Sequence, residues 1–174
     1  MKRKFQPLDF RIDDLTNSIK NRISGDSFQT EVAKLTKQDL KNTTKKIGWR
    51  FNWRVELNDN VSEVYKLTIV NNPAIIQGLI SLRLESDHVF MNLLESAPFN
   101  MGKDKLYEGV PGNLVAYACR VSSRNGHEGF VSFTAKTKLI KHYENTLGAY
   151  HFGGHKMIIP THAAQNLIDC YFKS

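Results

Sequence analysis

The sequence predicts an α/β chain with a mixed, mostly antiparallel central sheet flanked by helices. Three observations carry this. Residues 64–70 (VYKLTIV), 74–84 and 89–94 (VFMNLL) are apolar runs separated by Asn71-Asn72-Pro73 and Glu85-Ser86-Asp87. Strands joined by such short turns form an antiparallel meander. From Asn113 onward, helix-like and strand-like segments alternate. The strand at 89–94, the helix after it and the strand at 129–135 (GFVSFTA) make a crossover, which places a parallel pair beside the meander.

The chain is read as a single domain over 1–174, with residues 1–27 as an N-terminal extension. In that extension Leu8, Phe10, Ile12, Leu15 and Ile19 suit either an edge strand or a short helix packed on the main body. Residues 27–35 (SFQTEVAKL) alternate as a strand does. Thr36 and Asp39 have the spacing of an N-cap and its N3 partner, so a helix is expected to run to Lys46 and end at Gly48. Aromatic and polar residues alternate over 49–55 (WRFNWRV). This predicts a strand with Trp49, Phe51 and Trp53 on one buried face, in preference to a base-stacking platform. Gly78, within the following strand, marks a bulge or a close backbone approach.

Beyond residue 94 a polar loop closes on Gly109-Val110-Pro111-Gly112. A helix opens at Asn113 and stops at Asn125-Gly126. Residues 137–147 carry Leu139, Tyr143 and Leu147 on one helical stripe, ended by Gly148. Residues 149–159, broken by Gly153-Gly154, form a hairpin or a bulged strand. Thr161 caps a final helix at 163–172.

Composition excludes several classes. The chain has 174 residues, 41% apolar and 24% charged, as an ordinary globular protein does. No apolar run has the length of a membrane helix. The basic start MKRKF is followed by no apolar stretch, so a secretory leader is not expected. Cys119 and Cys170 offer no disulfide framework and no metal spacing, which points to the cytoplasm. The net charge of +7 favours an anionic partner. The densest basic cluster, from Lys34 to Arg54, comes with no nucleic-acid reader motif, which argues against nucleic acid as that partner. The six histidines do not form a metal set; His151 and His155 are split by Gly153-Gly154.

Residues 89–123 concentrate the functional signal. A strand that delivers a glycine-containing turn onto a helix can hold phosphate, because the first helical N–H groups are unpaired and the dipole is positive there. The order of elements, Tyr-Glu-Gly-Val-Pro-Gly-Asn-Leu at 107–114, and Lys-His-Tyr-Glu-Asn-Thr-Leu-Gly-Ala at 141–149 together resemble the GNAT family of N-acetyltransferases over roughly residues 28–160. The chain looks like an uncharacterised bacterial branch of that family. The resemblance departs at the usual basic or glutamine position, where Leu106, Tyr107 or Glu108 falls according to register. It departs again at Pro111, which offers no N–H.

The resemblance implies splayed fourth and fifth strands and acetyl-coenzyme A as co-substrate, with no metal. It implies transfer of the acetyl group to a primary amine by direct attack, the acceptor being a small molecule or a protein and the assembly open to a homodimer. Gly109, Val110, Pro111, Gly112, Asn113 and Leu114 would border the pyrophosphate. Lys103 or Lys105 would supply the missing charge, with Lys136 downstream. Glu95, Ser96 and Ala97 would line the pantetheine arm and the thioester carbonyl. Tyr143 would be the acid toward the leaving thiolate. Glu95 would be the base, its apolar neighbours raising its pKa, with Glu85 and His88 as rivals. Two other readings stand beside this one: a non-catalytic coenzyme-A-binding or regulatory module, and a basic nucleic-acid-associated domain.

Overall fold

The structure is a computed structural model that describes residues 6–16 and 18–172; the basic start of the chain lies outside the described residues. In chain order its elements are β1 (Ile19–Asn21), β2 (Ser27–Phe28), β3 (Thr30–Lys34), α1 (Trp53–Asn58), β4 (Glu63–Ile69), β5 (Gly78–Leu84), β6 (Val89–Ser96), β7 (Tyr107–Glu108), α2 (Val110–Arg124), β8 (Val131–Thr134), α3 (Ile140–Leu147), β9 (Tyr150–His151), β10 (Lys156–Ile159) and α4 (Thr161–Phe172). The main sheet has the order β3-β4-β5-β6-β8-β10-β9, and β2-β1-β7 form a small second sheet.

The meander is present as read: β4, β5 and β6 pair antiparallel in sequence order. The parallel pair is present too, and it is short. β6 meets β8 only at Val89↔Val131 and Phe90↔Ser132. β6 continues to Ser96 along β5, while β8 continues to Thr134 along β10. The two strands therefore diverge and leave a V-shaped gap between Leu94–Ser96 on one side and Thr134 on the other. Such a gap leaves strand edges without ladder partners, and something must fill them.

α2 packs across β5 and β6 beside α4. Gly78 shows why that packing is close: a Cβ there would lie 2.7 Å from Val110 Cγ1 and 3.0 Å from Leu114 Cδ1. Of the two alternatives for Gly78, close approach is the one observed. The bulge in this strand pair falls between Ser81 and Leu82.

Three readings are corrected. Thr36 and Asp39 do form a reciprocal capping box, but the segment they open is a pair of 3-10 turns, Lys37–Asn42 and Lys45–Ile47, ended by Gly48 at φ +108°. Residues 49–55 are not a strand. Asn52 caps α1 through its side chain, and the backbone N–H groups of Arg50 and Phe51 donate to the Glu95 carboxylate instead of to a ladder. Trp49 and Trp53 are buried nonetheless. Finally, α2 starts at Val110, not Asn113, so Pro111 and Gly112 belong to its first turn. Proline is at home there, since its missing N–H is one the helix would not have used.

Residues 8–16 form neither a helix nor a strand ladder. They make one parallel bridge, Leu8↔Ala135, and then run along the body with Leu8, Phe10 and Ile12 buried.

Candidate active site

The gap between β6 and β8 opens toward the N-terminus of α2. Gly109, the N-cap, sits at φ +94°, a backbone state that glycine adopts without strain. Four backbone N–H groups at a helix start have no partner inside the helix, and the macrodipole favours an anion beside them. Here the anion is a side chain of the same molecule. The Asp13 carboxylate accepts the Gly109 N–H at 3.1 Å and pairs with Lys105 Nζ at 3.1 Å. Both glycines of this turn are closely covered. A Cβ on Gly109 would lie 2.4 Å from Thr16 Oγ1, and one on Gly112 would lie 2.0 Å from the Tyr171 hydroxyl oxygen.

The other expected helix residues are spoken for. Asn113 Nδ2 donates to the Gly109 carbonyl at 3.1 Å, its backbone N–H donates to the same oxygen, and its Oδ1 faces Thr30 Oγ1. Val110 and Leu114 are core residues packed toward Gly78. Pro111 lines the cavity described below. Lys103 is exposed and contributes its backbone carbonyl to Arg22. Lys136 is held by a second carboxylate of the N-terminal segment: its Nζ lies 3.0 Å from Asp9 Oδ2, and Arg50 Nη2 reaches the same oxygen at 3.1 Å. Burial pushes the Asp9 carboxyl up, but the hydrogen bonds and charges of Arg50 and Lys136 outweigh it and hold it below the usual range.

At the end of β6, Ala97 N–H donates to the Gln77 carbonyl at 2.9 Å. Along a strand successive N–H groups alternate in direction, so the Ser96 N–H is aimed into the gap. Pro98 opens a 3-10 turn, Pro98–Asn100, that ends the strand. Asn100 is buried and fastens this corner. It donates to both oxygens of Gln77 and accepts from Tyr107 N–H at 3.1 Å.

Glu95 does not sit among apolar neighbours as expected. Its carboxylate accepts from Arg50 N–H at 2.6 Å, Phe51 N–H at 3.3 Å and Trp53 Nε1 at 2.8 Å. Three donors on one buried carboxylate make it the anchor of residues 50–53, with little capacity left to take a substrate proton. The rivals are no nearer: His88 pairs with Asp87, and Glu85 with Arg83.

Tyr143, on α3, is fully buried. Its ring packs on Phe133 and on Phe10, with centroids at 5.2 Å and 4.8 Å. Its hydroxyl donates to the Phe10 carbonyl at 2.5 Å, with the Leu8 carbonyl at 3.4 Å. Burial, reinforced by the Asp9 charge, raises its pKa well above that of a free tyrosine. The neighbouring His142 accepts the Ile12 N–H on Nε2 at 2.9 Å. Cys119 is buried, and burial pushes its thiol up, away from nucleophilic use.

Between residues 9–13 and the end of β6 a cavity of about 340 Å³ remains. Asp9, Phe10 and Asp13 form one wall, and Leu94, Glu95 and Ser96 the other, with Arg50 and Lys105 at its rim. Ser96, Pro111 and Lys105 are thus brought together as expected, while Tyr143 stands behind Phe10. Asp9, Asp13, Arg50 and Asn100 were not anticipated. The only signal for the first two was the alternation of Leu8, Phe10 and Ile12 with Asp9, Arg11 and Asp13.

The splayed parallel pair, the helix N-terminus beneath it and the flanking helices are the fold of the GNAT acetyltransferases. Among solved structures the chain is similar to the spermidine N-acetyltransferase of Vibrio cholerae in complex with CoA and spermine, at 15% identity and TM-score 0.52 over 79% of this chain and 99% of that one. It is similar to a mutant AtaT toxin bound to the C-terminus of the antitoxin AtaR and acetyl-CoA, at 17% identity and TM-score 0.56 over 80% and 97%. It is also similar to the AtaT–AtaR complex bound to DNA, at 18% identity and TM-score 0.58 over 79% and 98%. No protein-family model matches the chain, and no curated protein shows significant sequence similarity. Among the described residues no helix is long and apolar enough to cross a membrane, and no cluster of His, Cys, Asp and Glu could hold a metal.

Proposed function

We propose that the chain is an acetyl-coenzyme A-dependent N-acetyltransferase that acts on a primary amine by direct attack. One arrangement supports the reading: the strand end at Ser96, Pro111 of the helix start and Lys105 border one cavity, and Tyr143 lies directly behind its Phe10 wall. The fold is one whose solved neighbours include acetyltransferases bound to CoA. The donor set fits a phosphate-bearing thioester in charge and shape. The Gly109 N–H and Lys105 are held by the Asp13 carboxylate and Lys136 by Asp9, so phosphate oxygens would take the place of these carboxylates.

Acetyl-coenzyme A supplies an activated acyl carbon. The Ser96 N–H is placed to bond the carbonyl oxygen as it gains negative charge. The neutral amine forms the new C–N bond while the C–S bond breaks. Tyr143 gives its hydroxyl proton to the departing sulfur, and its raised pKa keeps that proton on the oxygen at neutral pH. The proton lost by the amine passes to water in the cavity, and the Tyr143 oxygen takes one back from water, so the step leaves no net charge on the protein. Glu95 contributes by fastening the wall at residues 50–53, which carries Arg50 to the cavity rim.

A second reading, a coenzyme-A-binding module without turnover, has its own support in the full burial of Tyr143 behind Phe10. Release of free thiol from acetyl-coenzyme A over a panel of polyamines, amino-sugars, aminoacyl compounds and lysine peptides separates the two. Thiol release that requires an amine supports the enzyme. Binding of coenzyme A with no amine-dependent release supports the module, and neither binding nor release contradicts both.

A further inference from the structure

The N-terminal segment enters the gap between the diverging strands at Leu8. β8 has two edges. One is taken by β10 through Val131–Thr134. The other belongs to β6 at Val131 and Ser132, and then, where β6 diverges, to Leu8. Leu8 N–H donates to the Thr134 carbonyl at 2.7 Å, and Lys136 N–H donates to the Leu8 carbonyl at 3.0 Å. The segment therefore completes the splayed edge as an inserted extended chain would. It then passes over Tyr143 and binds its hydroxyl through a backbone carbonyl. It finishes on the α2 N-terminus, where Asp13 takes the Gly109 N–H and Lys105, while Asp9 takes Lys136 and Arg50. Both strap carboxylates are bound by groups expected to meet phosphate.

We propose that residues 8–16 are an intrasteric strap that competes with acyl-coenzyme A for one tract. With the strap seated, the Tyr143 hydroxyl is held by the Phe10 carbonyl and the Gly109 N–H by Asp13. With it released, both become available. The inference rests on the acetyltransferase reading. The strap's carboxylate contacts suit displacement by a polyanion: Asp9 with Lys136 and Arg50, and Asp13 with Lys105 and the Gly109 N–H, are contacts that phosphate oxygens can replace. If the binding-competent state is a minor population, apparent affinity is lowered by that fraction, and weakening the strap restores it.

The test is calorimetric titration of acetyl-coenzyme A into the full chain and two variants. Phe10→Ala removes the packing on Tyr143 and Phe133 without changing charge; Phe10→Leu replaces it should the larger truncation fail to fold. Asp13→Ala frees the Gly109 N–H. The strap predicts that both classes of variant bind about tenfold or more tightly than the parent, and that a synthetic peptide of residues 6–16 competes with acetyl-coenzyme A on the Phe10 variant. A gain for Asp13→Ala alone would be charge removal and would overturn the strap. Equal affinities throughout would overturn it too and leave the acetyltransferase reading standing. No binding by any chain at millimolar acetyl-coenzyme A would remove that reading and the strap with it.

Discussion

The Tyr143 hydroxyl donates to the Phe10 carbonyl at 2.5 Å, so the side chain proposed as the acid toward the leaving thiolate also holds the segment at residues 8–12. This double engagement gives Tyr143→Phe an unusual expected signature. Turnover should fall roughly 100-fold, as for loss of a general acid. Stability should fall by about 1 kcal/mol from the lost hydrogen bond. Acetyl-coenzyme A should nonetheless bind more tightly, because the strap has lost a fastening. Steady-state thiol release together with calorimetry reads all three. A purely structural tyrosine would lower the melting temperature and leave kcat alone.

Glu95 carries the opposite expectation. Its carboxylate holds Arg50 N–H, Phe51 N–H and Trp53 Nε1. Glu95→Gln turns one acceptor into a donor that faces donors. Losing hydrogen bonds to a buried charge costs about 1.5–3 kcal/mol, which lowers the melting temperature by roughly 3–12 °C in a domain of this size. Thermal unfolding checks this. A general base would instead show a collapse of kcat with little change in melting.

His142 should make the strap sensitive to acid. Its Nε2 accepts the Ile12 N–H, so the ring is neutral there and carries its proton on Nδ1. Burial first, and then the Arg11 charge, hold its pKa below the ordinary value; the Tyr143 ring faces it at 5.5 Å. With the folded pKa depressed, its contribution is present above the unfolded pKa of about 6.5 and is lost as pH falls through the folded value. Exchange of the Ile12 amide, corrected for intrinsic rate, should therefore quicken between about pH 7 and about pH 5. In His142→Gln that pH dependence should be flat.

Gly78→Ala tests the packing that sets the gap. The added Cβ would meet Val110 Cγ1 at 2.7 Å and the Glu95 carbonyl at 3.2 Å, one a core side chain and the other backbone. A loss of about 1–3 kcal/mol in denaturant unfolding is expected.

Much of this architecture was legible in the sequence, and the failures have a common cause. The meander, the crossover and the three later helices, read from Asn113, over 137–147 and over 163–172, are local patterns of apolar spacing, so periodicity found them to within a few residues of their ends. The 49–55 segment alternates like a strand, but its backbone donors are collected by a carboxylate from β6 that no local rule connects to it. The site divides in the same way. Tyr143, Ser96, Pro111 and the lysines were put forward from the resemblance, and Ser96, Pro111 and Lys105 line one cavity. Their partners, Asp9 and Asp13, come from a segment whose apolar residues announced packing without saying on what. Long-range ion pairs leave no periodic trace.

Hydrogen exchange along the chain, with and without saturating acetyl-coenzyme A, tests the central claim most directly. Leu8 and Ile12 amides are protected by Thr134 and His142 in the structure. Acetyl-coenzyme A is expected to expose these two amides while protecting those of Ser96 and Gly112 at the gap and the helix start. Protection at Ser96 and Gly112 with Leu8 and Ile12 unchanged would contradict it.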